Sequence, residues 1–432
     1  MKTFIEYISI FYKKFLILSS RFKNIPYLFK ISKNLPGFSL FTTSMLLSQA
    51  TMMLYALILA RYLGPEKYGY FASGYSLMGF WAFFINFGMD NWMLQKGGKG
   101  ENSHNWFEEI IRSKFQIFIF WAPIFILLTT ILKNGSISPL FLLVCAIDIY
   151  LDCNSTTYIY KLNIEQRYNK IMQILMISRL GRLFGLIFFI IIRVREPINF
   201  ALCRSFFTGL GLIVSMYTFG FPWIQKLFQK PAIPIREILP FGFSDIFAQI
   251  YVIADVSLLS ILAGNNQVGL YNPATQIISS LLIIPNTIHI SLLPVIKKQK
   301  HGNGIKFLFP ILSAFISIGM ILTIIIVLGS RWVTLFFLGK AFVGSGYILM
   351  SLSPIILFKS IQFGFVTLIV SEGLQKFRLI PQIITAILNV TLNFLLIPFY
   401  GAFGSAVAYN VSEFFLLIGY GLLTLYLVKN NK

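Results

Sequence analysis

Leu308 to Leu328, LFPILSAFISIGMILTIIIVL, runs for 21 residues without a single Asp, Glu, Lys or Arg. That length matches the roughly 20 residues a helix needs to cross the hydrocarbon of a bilayer, about twice what a barrel strand needs. Leu140 to Tyr158 and Leu379 to Phe399 are apolar stretches of similar length. With 56% of 432 residues hydrophobic, 12% charged and 45 Phe, the chain carries more apolar surface than one soluble core could hide. Lipid is therefore the solvent for most of it. Backbone groups in lipid must be paired within the protein, which leaves helices once strands are excluded by length.

Gly, Pro, Asn and charge clusters divide the chain into about twelve candidate spans: 39–63, 70–94, 112–132, 138–159, 170–192, 198–221, 238–263, 270–296, 305–328, 344–371, 379–399 and 402–427. The moderately apolar stretch Arg331 to Ser345, with two glycines, reads as a short surface or re-entrant element between the ninth and tenth. The expected fold is all-α: a polytopic membrane protein of about twelve transmembrane helices in two six-helix lobes. Residues 1–37 form a basic segment whose apolar positions Phe4, Ile8, Phe11 and Phe15 recur at helical spacing, as in a helix lying on the membrane surface. Its longest apolar stretch is too short for a signal-peptide core, so it is expected to be retained. An N-lobe over 38–222, a cytoplasmic linker over 223–236 marked by Pro231 and Pro234, and a C-lobe over 237–432 complete the organisation.

The formal charge of +21 would suggest nucleic acid in a soluble chain. Here it reports orientation. An even number of spans puts both termini on one side, and placing that side inside assigns 25 of the 36 Lys and Arg to inner segments and 7 to outer loops. Both termini are expected to be cytoplasmic, and nucleic acid is not expected as a partner. Cys145, Cys153 and Cys203 lie in apolar stretches and read as buried thiols without a disulfide framework. Trp92, Trp106, Trp223 and Trp332 stand near span ends and read as an interfacial aromatic belt.

The halves look related. Gly64-Pro-Glu-Lys-Tyr-Gly69 follows the first span, and Gly264-Asn-Asn-Gln-Val-Gly269 follows the seventh, at an offset of 200 residues. Equivalent loops after six spans each suggest a parallel repeat about an axis along the membrane normal.

Four stretches carry a family resemblance: Ala60 to Gly69 (ARYLGPEKYG), Phe87-Gly88-Met89-Asp90, Gln166-Arg167-Tyr168, and the junction from Leu388-Asn389 through Asn393-Phe394-Leu395-Leu396-Ile397-Pro398 to Gly401-Ala402-Phe403-Gly404-Ser405-Ala406. In this order they resemble the polysaccharide flippases, especially the O-antigen flippases, of the multidrug/oligosaccharidyl-lipid/polysaccharide (MOP) exporter superfamily. The resemblance implies a two-lobed transporter that turns an undecaprenyl-pyrophosphate-linked oligosaccharide from the inner to the outer leaflet of a bacterial inner membrane. It also implies membrane lipids, a polysaccharide polymerase and a chain-length regulator as partners. The same motifs have a purely structural reading, as tight turns and close helix contacts.

Cations at mid-membrane cost roughly 2.5–3.5 kcal/mol on insertion scales, so those inside spans should face protein or water. Arg179, Arg182, Arg204 and Lys359 are such residues. Arg179 and Arg182 share one side of the fifth span, and guanidinium forks suit a pyrophosphate. They are candidates for a cationic substrate cavity; the alternative is pairing with helix carboxylates such as Asp148 and Asp152. Asp148, Asp152, Asp245, Asp255 and Glu413 are candidates for coupling to an H+ or Na+ gradient, or for ion pairs that hold helices together. His104, His289 and His301 are too scattered for a metal site or a catalytic dyad, and no nucleotide-cradling loop is present. No cofactor is expected and no enzyme activity. The alternatives are a multidrug or cation antiporter of the same superfamily, whose lumen should show acids rather than arginines, and a membrane glycan polymerase or acyltransferase, for which the outer loops are too short.

Overall fold

The computed structural model describes residues 36–97, 103–219, 229, 233–297, 308–371 and 375–430. The basic N-terminal segment, apart from its last two residues, and most of the proposed linker lie outside them. The described residues fold as helices: α1 (Pro36–Asn86), α2 (Met89–Gly97), α3 (Ser103–Leu132), α4 (Pro139–Ile164), α5 (Tyr168–Ile191), α6 (Pro197–Phe219), α7 (Ile235–Ala263), α8 (Asn265–Leu281), α9 (Ile283–Lys297), α10 (Leu308–Phe337), α11 (Val343–Leu352), α12 (Pro354–Ser371) and α13 (Leu379–Asn430). Eight stretches are long and apolar enough to cross a membrane by length and composition. Two of these, α1 and α13, are each a pair of arms bent about a glycine, Gly64 and Gly401, and hold two sequence spans apiece. The seventh span corresponds to α7, and the eighth to α8 with α9.

Most breaks between elements have a local cause. Pro285 and Pro354 remove the amide that would continue the helix near the start of α9 and α12. Phe87 and Gly88 both take positive φ (33° and 70°), which ends α1 and redirects the chain into α2. Arg331 to Ser345 departs from its sequence reading. Its first half is the last two turns of α10, and only Lys340–Phe342 forms a separate 3-10 turn. Arg331 and Trp332 lower the hydropathy there, but neither breaks a helix.

Within the first half of the chain, α4 packs on α6 and α3, while α5 packs on α1 and α6; within the second, α7 packs on α13, and α10 and α11 on the α12–α13 side. The halves meet chiefly through α1 against α8 and α7. One buried apolar cluster runs across this seam, from Tyr55, Leu59 and Phe71 to Leu259, Tyr271 and Ile278.

The internal repeat is visible at that seam. Gly64 (φ 79°, ψ 170°) and Gly264 (φ 83°, ψ 177°) have nearly the same left-handed conformation, which a side chain would strain. Five residues on, Gly69 lies against the Asn265 carbonyl, and Gly269 lies against the Pro65 carbonyl. Each glycine of one half touches the residue that is equivalent, at an offset of 200, to the one its own counterpart touches. Two helix segments thus cross backbone to backbone about a local two-fold axis, an approach that only glycine permits.

Candidate functional site

Between the halves, α1, α6, α7, α8 and α13 enclose a cavity of about 280 Å³. Its two main walls are equivalent helix faces: Phe71, Ala72, Tyr75 and Ser76 on α1, and Tyr271, Asn272, Thr275 and Gln276 on α8, again offset by 200 residues. Tyr55, Tyr68 and Tyr409 add aromatic surface, and Arg204 and Asp255 are the charged residues of the lining.

Contacts cross the seam at both ends. At the end marked by Gly64 and Gly264, the glycine crossing is reinforced by Tyr68, whose hydroxyl pairs with Asn272 Oδ1 at 2.7 Å. Two first-half cations donate to carbonyls in the last turns of second-half helices: Lys133 Nζ to Ser260 of α7 (2.6 Å) and Arg61 Nη1 to Phe336 of α10 (2.8 Å). Helix C-termini present unpaired carbonyls and the negative end of the dipole, which suits a cation there. At the opposite end, Gly88 packs on the backbone of Phe241 and Gly242. Asn91 Nδ2 donates to both oxygens of Asp245 (3.0 and 2.8 Å), and Trp92 Nε1 to Glu237 Oε2 (3.3 Å). Trp92 is 1% exposed, so this residue of the expected aromatic belt belongs to the interior. Trp332, at 80% exposure, stands on the surface.

The candidate arginines fall into one buried network. Arg182 is wholly buried; its Nη2 lies 3.1 Å from Asp152 Oδ1 and 3.7 Å from Asp148 Oδ1. Thr208 Oγ1 bridges Arg182 and Asp148. Arg179 Nη2 pairs with Asp152 at 3.3 Å, and Arg204 Nε with Asp148 Oδ2 at 2.7 Å. The i, i+4 spacing puts both aspartates on one face of α4, where α5 and α6 bring the arginines to them. Burying such charges is tolerable only because they pair. Three guanidiniums face two carboxylates, so the network carries one basic side chain in excess. Of the three arginines, Arg204 reaches the cavity lining; Arg179 and Arg182 stand behind it.

In the second half, Lys359 Nζ pairs with Glu413 Oε1 at 2.6 Å, and Gln362 Nε2 donates to Glu413 Oε2 at 2.8 Å. Lys359 stands 5.6 Å from the ring of Tyr409, which lines the cavity. Asp255 is 1% exposed and is held by neutral donors, Tyr271 Oη (3.2 Å) and Asn393 Nδ2 (2.7 Å). Ser405 Oγ donates to Asn393 Oδ1 (2.9 Å), and Asn393 Nδ2 also lies 3.2 Å from Asn389 Oδ1. Asn389, Asn393 and Ser405 belong to the stretch that carried the family resemblance in the sequence, which therefore builds the surroundings of a buried acid as well as a helix junction.

Sequence reasoning missed two features. Lys114 of α3 is fully buried and pairs with both oxygens of Asp90 (2.9 and 2.8 Å), tying the Phe87–Asp90 motif to α3 and, through Thr157, to α4. The cavity tyrosines were also missed. The signal was available: carrying the face of Phe71 and Tyr75 forward by 200 residues lands on Tyr271 and Thr275. His289 is a packed residue, its Nδ1 2.7 Å from Thr367 Oγ1 and its ring stacked on Phe363.

Residues 35–300 match the family described as polysaccharide biosynthesis protein. The chain belongs to that family. Among solved structures, the family member is similar to a lipid II flippase, MurJ, in an inward closed conformation, with a TM-score of 0.71 and 15% identity over 89% of this chain and 87% of that one. It is also similar to an inward-facing multidrug resistance MATE transporter of the MOP superfamily (TM-score 0.65, 13% identity, 89% and 95% of the two chains). A third match is a MOP superfamily transporter from Pyrococcus furiosus described by the reverse polarity of its binding pocket (TM-score 0.61, 14% identity, 91% and 96%). At these identities the likeness shows the fold: a multi-pass transporter fold shared with flippases and exporters. No curated protein matches the chain.

Proposed function

We propose that this member of the polysaccharide biosynthesis family is a flippase. It carries an undecaprenyl-pyrophosphate-linked oligosaccharide, an O-antigen or similar repeat unit, from the inner to the outer leaflet of a bacterial inner membrane by alternating access, with both termini cytoplasmic. The observation that carries the reading is the cavity between the halves: it is rich in tyrosine and amide groups and receives its positive charge from Arg204. Aromatic rings and amides suit sugar faces and hydroxyls, and a guanidinium suits phosphate oxygens. The prenyl tail stays in lipid while the headgroup crosses. Asp255, buried and facing the same cavity without a cationic partner among the described residues, is the group best placed to take up a proton or sodium ion and couple the cycle to a gradient.

A cationic-drug exporter would need a wall of acids, whereas the first-half wall here carries an arginine. The test is a proteoliposome assay that follows leaflet exposure of a lipid-linked oligosaccharide. Wild type should equilibrate it between leaflets, and Arg204→Gln should slow that by tenfold or more. A protein that lengthens the glycan without moving it, or moves cationic dyes instead, refutes the proposal.

A further inference from the structure

A guanidinium has three usable surfaces: the Nε edge, the flat faces and the Nη edge. In Arg204 protein lies at the Nε edge and over one face. Its Nε lies 2.7 Å from Asp148 Oδ2, an ion pair without hydrogen-bond alignment, and its Cζ sits 4.1 Å above the ring of Tyr75. Its Nη groups make no hydrogen bond among the described residues, although the side chain is only 17% exposed and lines the cavity. The other two arginines turn their Nη groups to protein atoms. Arg182 spends Nε and Nη2 on Thr208 and Asp152, and its Nη1 lies 3.6 Å from Met52 Sδ. Arg179 spends Nη2 on Asp152 and Nη1 on the same sulfur at 3.4 Å.

Tyr75 is the second open donor. It lines the cavity from α1, and its hydroxyl is buried without a partner among the described residues. A buried donor left unmet is costly, and one beside a guanidinium edge that faces the same cavity calls for a ligand rich in acceptors. At the 200-residue offset that relates α1 to α8, the position equivalent to Tyr75 is Thr275, so the phenol is not repeated in the second half.

We infer that Tyr75 and Arg204 together form a phosphate-binding unit: Asp148 holds the rear edge of the guanidinium, Tyr75 fixes its face, and the Nη edge with the Tyr75 hydroxyl binds the oxygens of a phosphoryl group. Tyr75 is thereby a specificity-determining residue, and Arg179 and Arg182 act through Asp148 and Asp152 as positioning residues. The inference rests on the flippase reading for the source of the phosphate, the pyrophosphate of the lipid-linked glycan. The site chemistry stands apart from it.

The test uses the full chain in nanodiscs, with undecaprenyl pyrophosphate and inorganic pyrophosphate as probes and undecaprenol as the neutral control. Tyr75→Phe keeps the ring under Arg204 and removes one donor; it should weaken both pyrophosphate probes about tenfold, leave undecaprenol binding unchanged and leave the thermal midpoint near wild type. Tyr75→Leu also frees the guanidinium face and should weaken them as much as Arg204→Gln does. Arg204→Lys should not restore binding, because an ammonium offers no fork. Unchanged pyrophosphate affinity in Tyr75→Phe and Arg204→Gln overturns the inference. Equal competition by phosphatidylglycerol overturns the assignment to cargo and gives the unit to bilayer headgroups. Wild type that binds pyrophosphate through these residues yet moves no lipid-linked glycan refutes the flippase reading and leaves the site intact. Flipping that ignores both substitutions does the reverse.

Discussion

Replacing Gly69 or Gly269 by alanine tests the crossing of α1 and α8. A Cβ on Gly69 would overlap the Asn265 carbonyl oxygen and stand 2.7 Å from its carbon and 2.8 Å from Gly269 N; one on Gly269 would overlap the Pro65 oxygen and stand 2.6 Å from its carbon. These are backbone atoms, so no flexible side chain can yield. Ordinary carbon contacts begin near 3.5 Å, so the helices must part by on the order of 1 Å. Overpacking of this kind costs about 1–3 kcal/mol. Charged to the closed arrangement alone, that is a shift of roughly five- to 150-fold toward an opened Gly64–Gly264 end, at about 1.4 kcal/mol per factor of ten. Because the contact is reciprocal, the two single substitutions should shift the equilibrium by similar amounts. The double substitution should cost less than their sum, since helices parted by one methyl already admit the other. Spin labels on the α1 and α8 segments near this end, with distances measured by pulsed electron resonance, read the separation directly. Unchanged distance distributions in both single variants, or widening in only one, would refute the crossing as described.

Asp148→Asn leaves three guanidiniums facing one carboxylate and should destabilise the protein by about 3–5 kcal/mol, read as a lower thermal midpoint in detergent; an unchanged midpoint would show that the network is not holding α4, α5 and α6 together. Asp255→Asn keeps a polar group for Tyr271 and Asn393 but removes the charge; glycan flipping should then stop responding to an imposed cation gradient while pyrophosphate binding persists, and a retained response would remove Asp255 from coupling. Burial lowers the pKa of Lys133, which follows the last residue of α3. When this end opens, Lys133 regains water and its ordinary value near 10.4. The closed form binds fewer protons between the two values, so closure should strengthen as pH rises through that window. Lys133→Met should abolish the dependence in the same spin-label measurement, and a dependence that survives the substitution would assign it elsewhere.

The apolar spans were legible in the sequence because lipid imposes a length and a composition on each one, and Gly64 and Gly264 could be read as equivalent breaks. The error at Arg331 arose because hydropathy reports the solvent of a side chain while helix continuation depends on the backbone, which nothing there interrupts. Arg179 and Arg182 could be recognised as costly residues needing partners. Which partners was not legible, since Asp148 and Asp152 meet them only once α4, α5 and α6 are packed. Arg204 looks like the other two in sequence. What sets it apart is a ring from α1 beneath its face, a contact spanning 129 positions that no local pattern records. Trp92 misled for a related reason: standing near a span end suggests the interface, but it packs in a buried apolar cluster with Met89, Phe107 and Tyr158 that forms only when the helices are together.

The glycine crossing also says something about assembly. A contact in which 69 meets 265 and 269 meets 65 is self-complementary, the kind by which two copies of one chain form a symmetric dimer. A chain with such an interface between its own halves carries its partner with it, at an effective concentration set by the connecting segment. Separately expressed halves therefore have a surface by which to recombine, and the covalent join serves mainly to raise the local supply of the second half and to exclude pairing of like with like.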